Sequence, residues 1–390
     1  MTKYADMQID FPHLTEIEQV VFAMARDRFS SLVQGTKRLV IAIQELSDYY
    51  IADPEHRGAC PNTKAHQAAR MVFFTIADMP KAFVLAAELD TLMGIAPKSR
   101  VNVLDLGVGY GAQSLGLLSY LQQKYPEQQI RLDAFDRDAE ALDAFDQLIM
   151  NCQNSRIIGN VAANIWKIDL EQGFSPNDQY DFIIIGSTLC ELQTGTHYQL
   201  LTKLLSALTD SGVLFIIEPA LKTTSRNLHQ LRNMLLAEHL YEVIAPCTRT
   251  QDCPCLLNAK DWCHESRHYE LPARCRQLAA TTGLRTHEVK WSYLTLTRQH
   301  VTNEKYLNAW RVVSDLMKPK GKQEVFLCGE PGRFRAILQK RDRTSANRIF
   351  KKLHRGQLVW IQEPEIRNDH LMLGRESTVR IEEPIEQILI

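Results

Sequence analysis

Val101-Asn102-Val103-Leu104-Asp105-Leu106-Gly107-Val108-Gly109-Tyr110-Gly111 is the stretch that decides the fold. An apolar run of strand length ends in three glycines at alternate positions. Such a run, bounded by glycine, reads as a strand buried on both faces. The residues that follow, Ala112 to Lys124, have helical periodicity. Strand, glycine turn and helix make a unit in which backbone amides approach a ligand closely at a helix N-terminus.

The pattern repeats outward from that unit. Ile130 to Asp136 reads as a second strand and Ala139 to Met150 as a helix. Asn164 to Asp169, Asp181 to Gly186 and Val213 to Glu218 read as the third, fourth and fifth strands. Strands alternating with helices predict a doubly wound parallel sheet. The fold class expected is α/β: a Rossmann-like, class I methyltransferase-type sheet with a helical N-terminal cap and a strand-rich, metal-binding C-terminal region. The expected divisions are a cap over 1–95, a cofactor-binding domain over 96–222, a cysteine-rich metal- and RNA-binding region over 223–345, and a small β element over 346–390.

The glycine loop serves dinucleotides and S-adenosylmethionine alike, and by itself it is a weak signal. Its first residue, Asp105, favours the methyl donor, because an acid opens the glycine loops of methyltransferases. Asp136, at the end of the second strand, is placed to accept hydrogen bonds from ribose hydroxyls. Asp169, at the end of the third, suits a contact with the adenine amine. The expected cofactor residues are therefore Asp105, Gly107, Gly109, Gly111, Asp136 and Asp169. Helix capping is the competing explanation for Asp136 and Asp169. On the catalytic side no Asn/Asp-Pro-Pro-Tyr element follows the fourth strand. Cys190 lacks the Pro-Cys or Thr-Cys setting of a pyrimidine nucleophile, and a core thiol is the reading preferred for it. Glu191 and Glu218 are the candidates for a base or for a contact to the donor's amino group.

At 390 residues the chain is long enough for about two or three domains. No apolar run is long enough to span a membrane, so no membrane partner is expected. Met1 to Asp6 lacks a basic region followed by an apolar stretch, and a cytoplasmic location is expected. Charge is uneven along the chain. Residues 221–360 hold 25 Lys and Arg against 12 Asp and Glu, whereas residues 1–220 hold 17 against 27. An acidic half joined to a basic half points to a polyanionic partner for the latter. The densest part is 331–360, with nine basic residues and one acid. Arg333, Arg335, Lys340, Arg341, Arg343, Lys351 and Lys352 are the expected RNA-binding residues there. Phe334, Phe350 and Trp360 lie among them, either to stack on bases or to fill a core.

Five of the nine cysteines, Cys247, Cys253, Cys255, Cys263 and Cys275, fall within 29 residues. In a chain expected to be cytoplasmic, metal ligation or core packing explains cysteines better than disulfides do. Thiolates suit zinc and iron–sulfur clusters equally. Zinc sites usually show paired knuckles. Cys247, Cys253 and Cys263, with Cys328 as a remote fourth, have irregular spacing that fits a cubane cluster better. Zinc stays open as the alternative, and Cys255 and His264 are substitute ligands that the spacing allows.

With these pieces assembled, the chain resembles the methyltransferase-like assembly proteins of the mitochondrial small ribosomal subunit and their bacterial relatives. The resemblance spans roughly 70–345. It rests on the glycine loop at 105–111, Leu189-Cys190-Glu191-Leu192, Ala245-Pro246-Cys247, Cys253-Pro254 and Trp262-Cys263-His264. Further matches are Trp291-Ser292-Tyr293, Lys320-Gly321, Leu327-Cys328-Gly329 with Gly332, and Lys340-Arg341. It implies that Cys247, Cys253, Cys263 and Cys328 ligate a [4Fe–4S] cluster, and that the protein binds small-subunit ribosomal RNA during assembly. The chain departs from the pattern at Thr248-Arg249, where the family tends to carry histidine, and at Glu265, where it tends to carry an aromatic residue. Three functions follow as expectations: a ribosomal RNA methyltransferase acting in small-subunit assembly, a non-catalytic assembly factor that keeps the fold as a scaffold, and a methyltransferase for a protein or small molecule.

Overall fold

A computed structural model describes residues 9–32, 37–53, 58–284, 287–299 and 306–381. Met1 to Asp6, read above for targeting, and the last nine residues of the expected C-terminal element lie outside the described residues. In chain order the strands are β1 (Arg100–Leu106), β2 (Gln129–Asp136), β3 (Val161–Lys167), β4 (Tyr180–Gly186), β5 (Leu208–Pro219), β6 (Glu242–Ala245), β7 (Glu265–His268) and β8 (Glu288–Thr297). Then come β9 (Trp310–Val312), β10 (Lys322–Gly329), β11 (Gly332–Gln339), β12 (Leu358–Arg367) and β13 (His370–Ile381).

The first eight strands form one sheet in the order β3-β2-β1-β4-β5-β8-β6, with β7 also paired to β8. Pairing is parallel from β3 through β5, while β8 runs antiparallel to β5, β6 and β7. β1 sits in the middle, which is why its side chains are apolar on both faces. Val101 and Val103 pack into the same core as the helices Ala112–Lys124 and Ala139–Asn154 and the N-terminal helices. Leu104 and Leu106 pack on the other face with the helices His197–Ser206 and Lys222–Ala237. The period-two alternation of a strand thus divides the apolar residues between two cores.

The sheet runs on past residue 222, where the regular alternation of the sequence is lost. There the ten-residue β8 arrives antiparallel to β5 and carries two four-residue strands, β6 and β7, and these sequences do not form strand–helix repeats. The remaining five strands close into a separate barrel in the order β10-β11-β13-β12-β9. Its strands come from 310–381, so it draws on residues from both sides of position 345. Val312, Val325, Leu327, Ala336, Leu338, Leu371 and Leu373 fill its interior.

The N-terminal residues are helical, as the periodicity predicts: Leu14–Phe29, Lys37–Ile51, Lys64–Ala69 and Pro80–Met93, with a π-helical turn at Arg70–Phe74. They share one continuous core with the sheet. Gly116 lets the helix it sits in pack directly on the N-terminal helices, because a Cβ there would collide with the backbone carbonyl of Met79.

One buried polar cluster joins the three parts. Glu88, on the helix Pro80–Met93, accepts hydrogen bonds from Tyr293 Oη of β8 and Arg311 Nη1 of β9, each at 2.6 Å. Arg311 also donates to Pro246 O at 2.8 Å and Gly356 O at 2.6 Å. Burial works against the Arg311 charge, but Glu88 beside it raises the guanidinium pKa above its ordinary value. Removing one member of a buried ion pair strands the other without its partner. Arg311→Met should therefore lower stability by about 3–5 kcal/mol in denaturant melts. The double variant Glu88→Gln/Arg311→Met should lose less than the sum of the two single changes; strict additivity would show that the pair is not coupled.

Candidate functional site

The chain turns as soon as β1 ends. The Gly107 and Val108 amides donate to Phe135 O at 2.8 and 3.0 Å, tying the loop to β2. The Gly109 amide donates to Asp136 Oδ2 at 2.8 Å, and the Asp138 amide donates to Asp136 Oδ1 at 2.9 Å. Asp136 therefore braces the loop. The helix after β2 is capped instead by Asp138, which accepts from Glu140 N and Ala141 N.

The three loop glycines answer to different neighbours. A Cβ on Gly107 would run into Thr188, and one on Gly111 into the Phe145 ring. A Cβ on Gly109 would meet nothing within 4 Å, although φ there is 51°. Gly109 thus borders open space beyond the carboxyl end of the central strand, where open α/β sheets bind their ligands. Asp169 lies two residues past β3 and caps the turn Leu170–Gln172, accepting from Glu171 N at 3.1 Å and Gln172 Nε2 at 3.3 Å. Capping, the competing explanation, describes its contacts here.

Asp105 is buried beneath the loop, where Ser114 Oγ donates to Oδ2 at 2.6 Å. Burial pushes its pKa up to about 7 against the opposing Ser114 hydrogen bond. Glu218 is buried at the end of β5, and burial likewise raises it to about 7. Its two oxygens accept the Leu189 and Cys190 amides, each at 3.1 Å, and so shape the turn after β4. Glu191 pairs with Arg137 at 3.0 Å. Cys190 Sγ lies 3.5 Å from Ser187 O. Both candidate carboxylates thus have structural partners.

The cysteine loop begins at Cys247, two residues past β6, the edge strand at the other end of the sheet from β3. The helix Lys222–Ala237 shapes that loop. Arg226 Nη1 donates to the carbonyls of Cys255, Asn258 and Asp261 at 2.9–3.0 Å. Arg232, fully buried, donates to the carbonyls of Arg249 and Gln251. Asn233 Oδ1 accepts from Cys253 N at 3.0 Å. Cys328 arrives on β10, and its carbonyl accepts from Thr248 Oγ1 at 3.2 Å. The thiols of Cys247, Cys253 and Cys255 are close enough to raise the Cys328 pKa further, after burial, and Cys255 interacts with both Cys253 and Cys263. The buried imidazole of His229 touches the Cys253 thiol, and neither ring nitrogen has a nitrogen or oxygen partner.

Two segments about 80 residues apart are thus brought together, and all four expected ligands lie in the cluster with Cys255 added to them. Yet among the described residues no group of three or more His, Cys, Asp or Glu side chains is placed so that it could hold a metal ion. The donor chemistry fits a thiophilic metal or cluster, and the side-chain placement is that of unligated thiols. Arg226, His229, Arg232 and Asn233 are missing from the sequence reading. Their spacing of three, three and one on a helix just before the cysteine loop puts them on one face, and that was the available signal.

Of the expected RNA-binding residues, Lys340, Arg341, Arg343, Lys351 and Lys352 are exposed. Arg333 pairs with Asp261 at 2.6 Å and lies over the Phe326 ring, and Arg335 pairs with Glu324. Phe350 is fully buried and Phe334 packs on Trp310 inside the barrel, so core packing accounts for both. Trp360 is sandwiched between Tyr306 and Arg380.

A central glycine loop, the strand order β3-β2-β1-β4-β5 and an antiparallel strand between the fifth strand and the edge define the class I methyltransferase fold. Within that class the chain belongs to the Rsm22 family, described as mitochondrial small ribosomal subunit Rsm22, whose model matches residues 68–359. No curated protein matches it in sequence. Among solved structures it is similar to the plantazolicin methyltransferase BpumL in complex with SAH, at 14% identity and TM-score 0.36, covering 74% of this chain and 98% of that one. It is also similar to magnesium protoporphyrin IX methyltransferase from Synechocystis PCC 6803, at 15% identity and TM-score 0.35, covering 68% and 99%. Likenesses this weak add nothing to what the strand order shows.

The buried Asp105 makes a pH prediction. In the folded chain it holds its proton up to about pH 7, and in the unfolded chain only to about pH 4. The folded state binds the extra proton between those values, so stability falls as pH rises through them. Asp105→Asn keeps an acceptor for Ser114 and carries no charge. Its gain in Tm over the parent, measured without ligand, should be larger at pH 8 than at pH 5. A difference independent of pH would mean that Asp105 ionises normally.

Proposed function

We propose that this protein acts in assembly of the small ribosomal subunit as an S-adenosylmethionine-dependent ribosomal RNA methyltransferase. Family membership over three quarters of the chain is the observation that carries the assembly role. The glycine loop supports the donor. Gly109 borders an open space, and Asp136 and the Gly107 and Val108 amides hold the loop rigid around it. Gly109 would border the donor, with Asp105, Gly107 and Gly111 shaping the loop beneath it and Asp136 and Asp169 toward its ribose and adenine. Bound there, S-adenosylmethionine supplies a methyl group made electrophilic by its sulfonium. The chain's own part is to position the acceptor and exclude water, since neither Glu191 nor Glu218 stands apart from a structural partner.

That same commitment of both carboxylates favours a second reading, a non-catalytic assembly factor that binds the donor or the RNA through the same fold. The two separate in one experiment. Purified protein is incubated with radiolabelled S-adenosylmethionine and small subunits from cells lacking the gene, and label in RNA is counted. Methyl incorporation that vanishes with Gly109→Arg establishes the enzyme. No incorporation, from protein that binds both donor and particle, establishes the assembly factor.

Cys247, Cys253, Cys263 and Cys328 would hold a [4Fe–4S] cluster, which would supply a brace between the cysteine loop and the barrel. Support comes from the convergence of the four thiols from two distant segments, a donor set that suits a thiophilic cluster. Protein purified without oxygen should be brown and contain about four iron and four sulfide per chain. Stoichiometric zinc in place of iron would replace the cluster with the zinc alternative.

A further inference from the structure

The barrel has a topology whose use the sequence did not reveal. Its five strands pair in the order first-second-third-fifth-fourth and back to the first. The second and third strands, β10 and β11, are antiparallel, the third and fifth, β11 and β13, are parallel, and the first, β9, closes on both β10 and β12. That is the connectivity of an OB-fold, which binds oligonucleotides across the outer face of its second and third strands and on the loops beside them.

The outer face can be assigned from the register. Val325 and Leu327 of β10, and Ala336 and Leu338 of β11, point into the barrel core. Their neighbours point out: Glu324, Phe326 and Cys328, opposite Ile337, Arg335 and Arg333. The Cys328 end of this face is covered by the cysteine loop through Asp261, Thr248 and Arg249. That loop ties Asp261 to Arg333, which itself lies 4.4 Å over the Phe326 ring, and the next residue, Trp262, is 40% exposed with its ring stacked on His264. At the other end, Lys318 and Lys320 stand exposed on the connection from β9 to β10, and Lys340 and Arg341 on the residues that leave β11. The two groups adjoin, because the Lys340 amide donates to Gly321 O at 2.9 Å. The one carboxylate buried in this face, Glu324, is shared by Lys322 and Arg335 and adds no net negative charge.

We infer that this face binds a single-stranded segment of RNA, with bases stacked on Trp262 and phosphates held by Lys318, Lys320, Lys340 and Arg341. The choice of single strand follows from the surface. An exposed indole can stack only on a base that is not already stacked in a duplex. The cations at the far end of the strands then take the backbone. The inference rests on the RNA reading above and names the form of RNA and the surface that takes it.

The test uses the full chain and fluorescence anisotropy with a labelled single-stranded RNA oligonucleotide and the same oligonucleotide annealed to its complement. The single strand should bind at least tenfold more tightly. Trp262→Ala should weaken it about tenfold. Lys318→Glu/Lys320→Glu should weaken it by a similar factor and flatten its salt dependence. The lysine pair lies on an exposed loop away from the cysteines, so its result stands even if Trp262→Ala disturbs Cys263. Equal affinity for duplex and single strand overturns the inference. So does RNA binding that both variants leave unchanged, which would keep the RNA reading and move its surface elsewhere. No binding to either RNA overturns both.

Discussion

The Arg311 guanidinium is the contact on which the rest of the molecule depends. It lies where the N-terminal helices, the far edge of the sheet and the barrel meet, and it is almost completely buried. A charge removed from water to that extent needs a counter-charge and carbonyl acceptors. Glu88 provides the first, and Pro246 and Gly356 provide carbonyls. Because these partners come from elements far apart in sequence, the barrel, the helical layer and the loop that begins at Cys247 are held in one relation. Pro246 is the residue immediately before Cys247, so the same guanidinium sets where the cysteine loop starts.

Downstream of that point, arginines again do the positioning. Arg226 and Arg232 bind backbone carbonyls of the cysteine loop, which has little regular structure of its own to satisfy them. The loop is therefore shaped by a helix of the methyltransferase fold before any metal is considered. Its other wall is the outward face of β10 and β11, which carries Cys328 and the stack of Arg333 on Phe326. The cysteine cluster and the RNA surface proposed above thus share one strand, β10.

The glycine-loop region is built on a different economy of groups. Its acids hold the loop and the neighbouring turn: Asp136 holds Gly109, Asp138 caps a helix, and Glu218 holds the residues after β4. Asp105 and Glu218 are buried enough to sit near neutrality in their pKa. A site so arranged is rigid and shaped to receive a ligand. In the methyl transfer proposed above, the reaction would rely on how the acceptor is presented.

The sequence by itself determined the sheet as far as β5, because β1, β2, β4 and β5 are apolar runs each followed by a helix with its own period, while β3 is followed only by the turn Leu170–Gln172. It also determined the glycine loop, since Gly107, Gly109 and Gly111 mark a turn that only glycine accommodates between a strand and a helix. The cysteine cluster was legible as a local concentration of thiols with Cys328 as a remote fourth. What tertiary structure alone decided was which of these residues face a ligand. Gly109 borders open space while Gly107 and Gly111 touch side chains from elsewhere in the chain. Asp169 caps a turn, and Phe350 fills a core although it stands among exposed cations. The barrel was hidden for the same reason. Its strands are short and irregularly spaced, and closure depends on β11 pairing in parallel with β13 across an intervening segment. Long-range pairing of that kind leaves no period in the sequence.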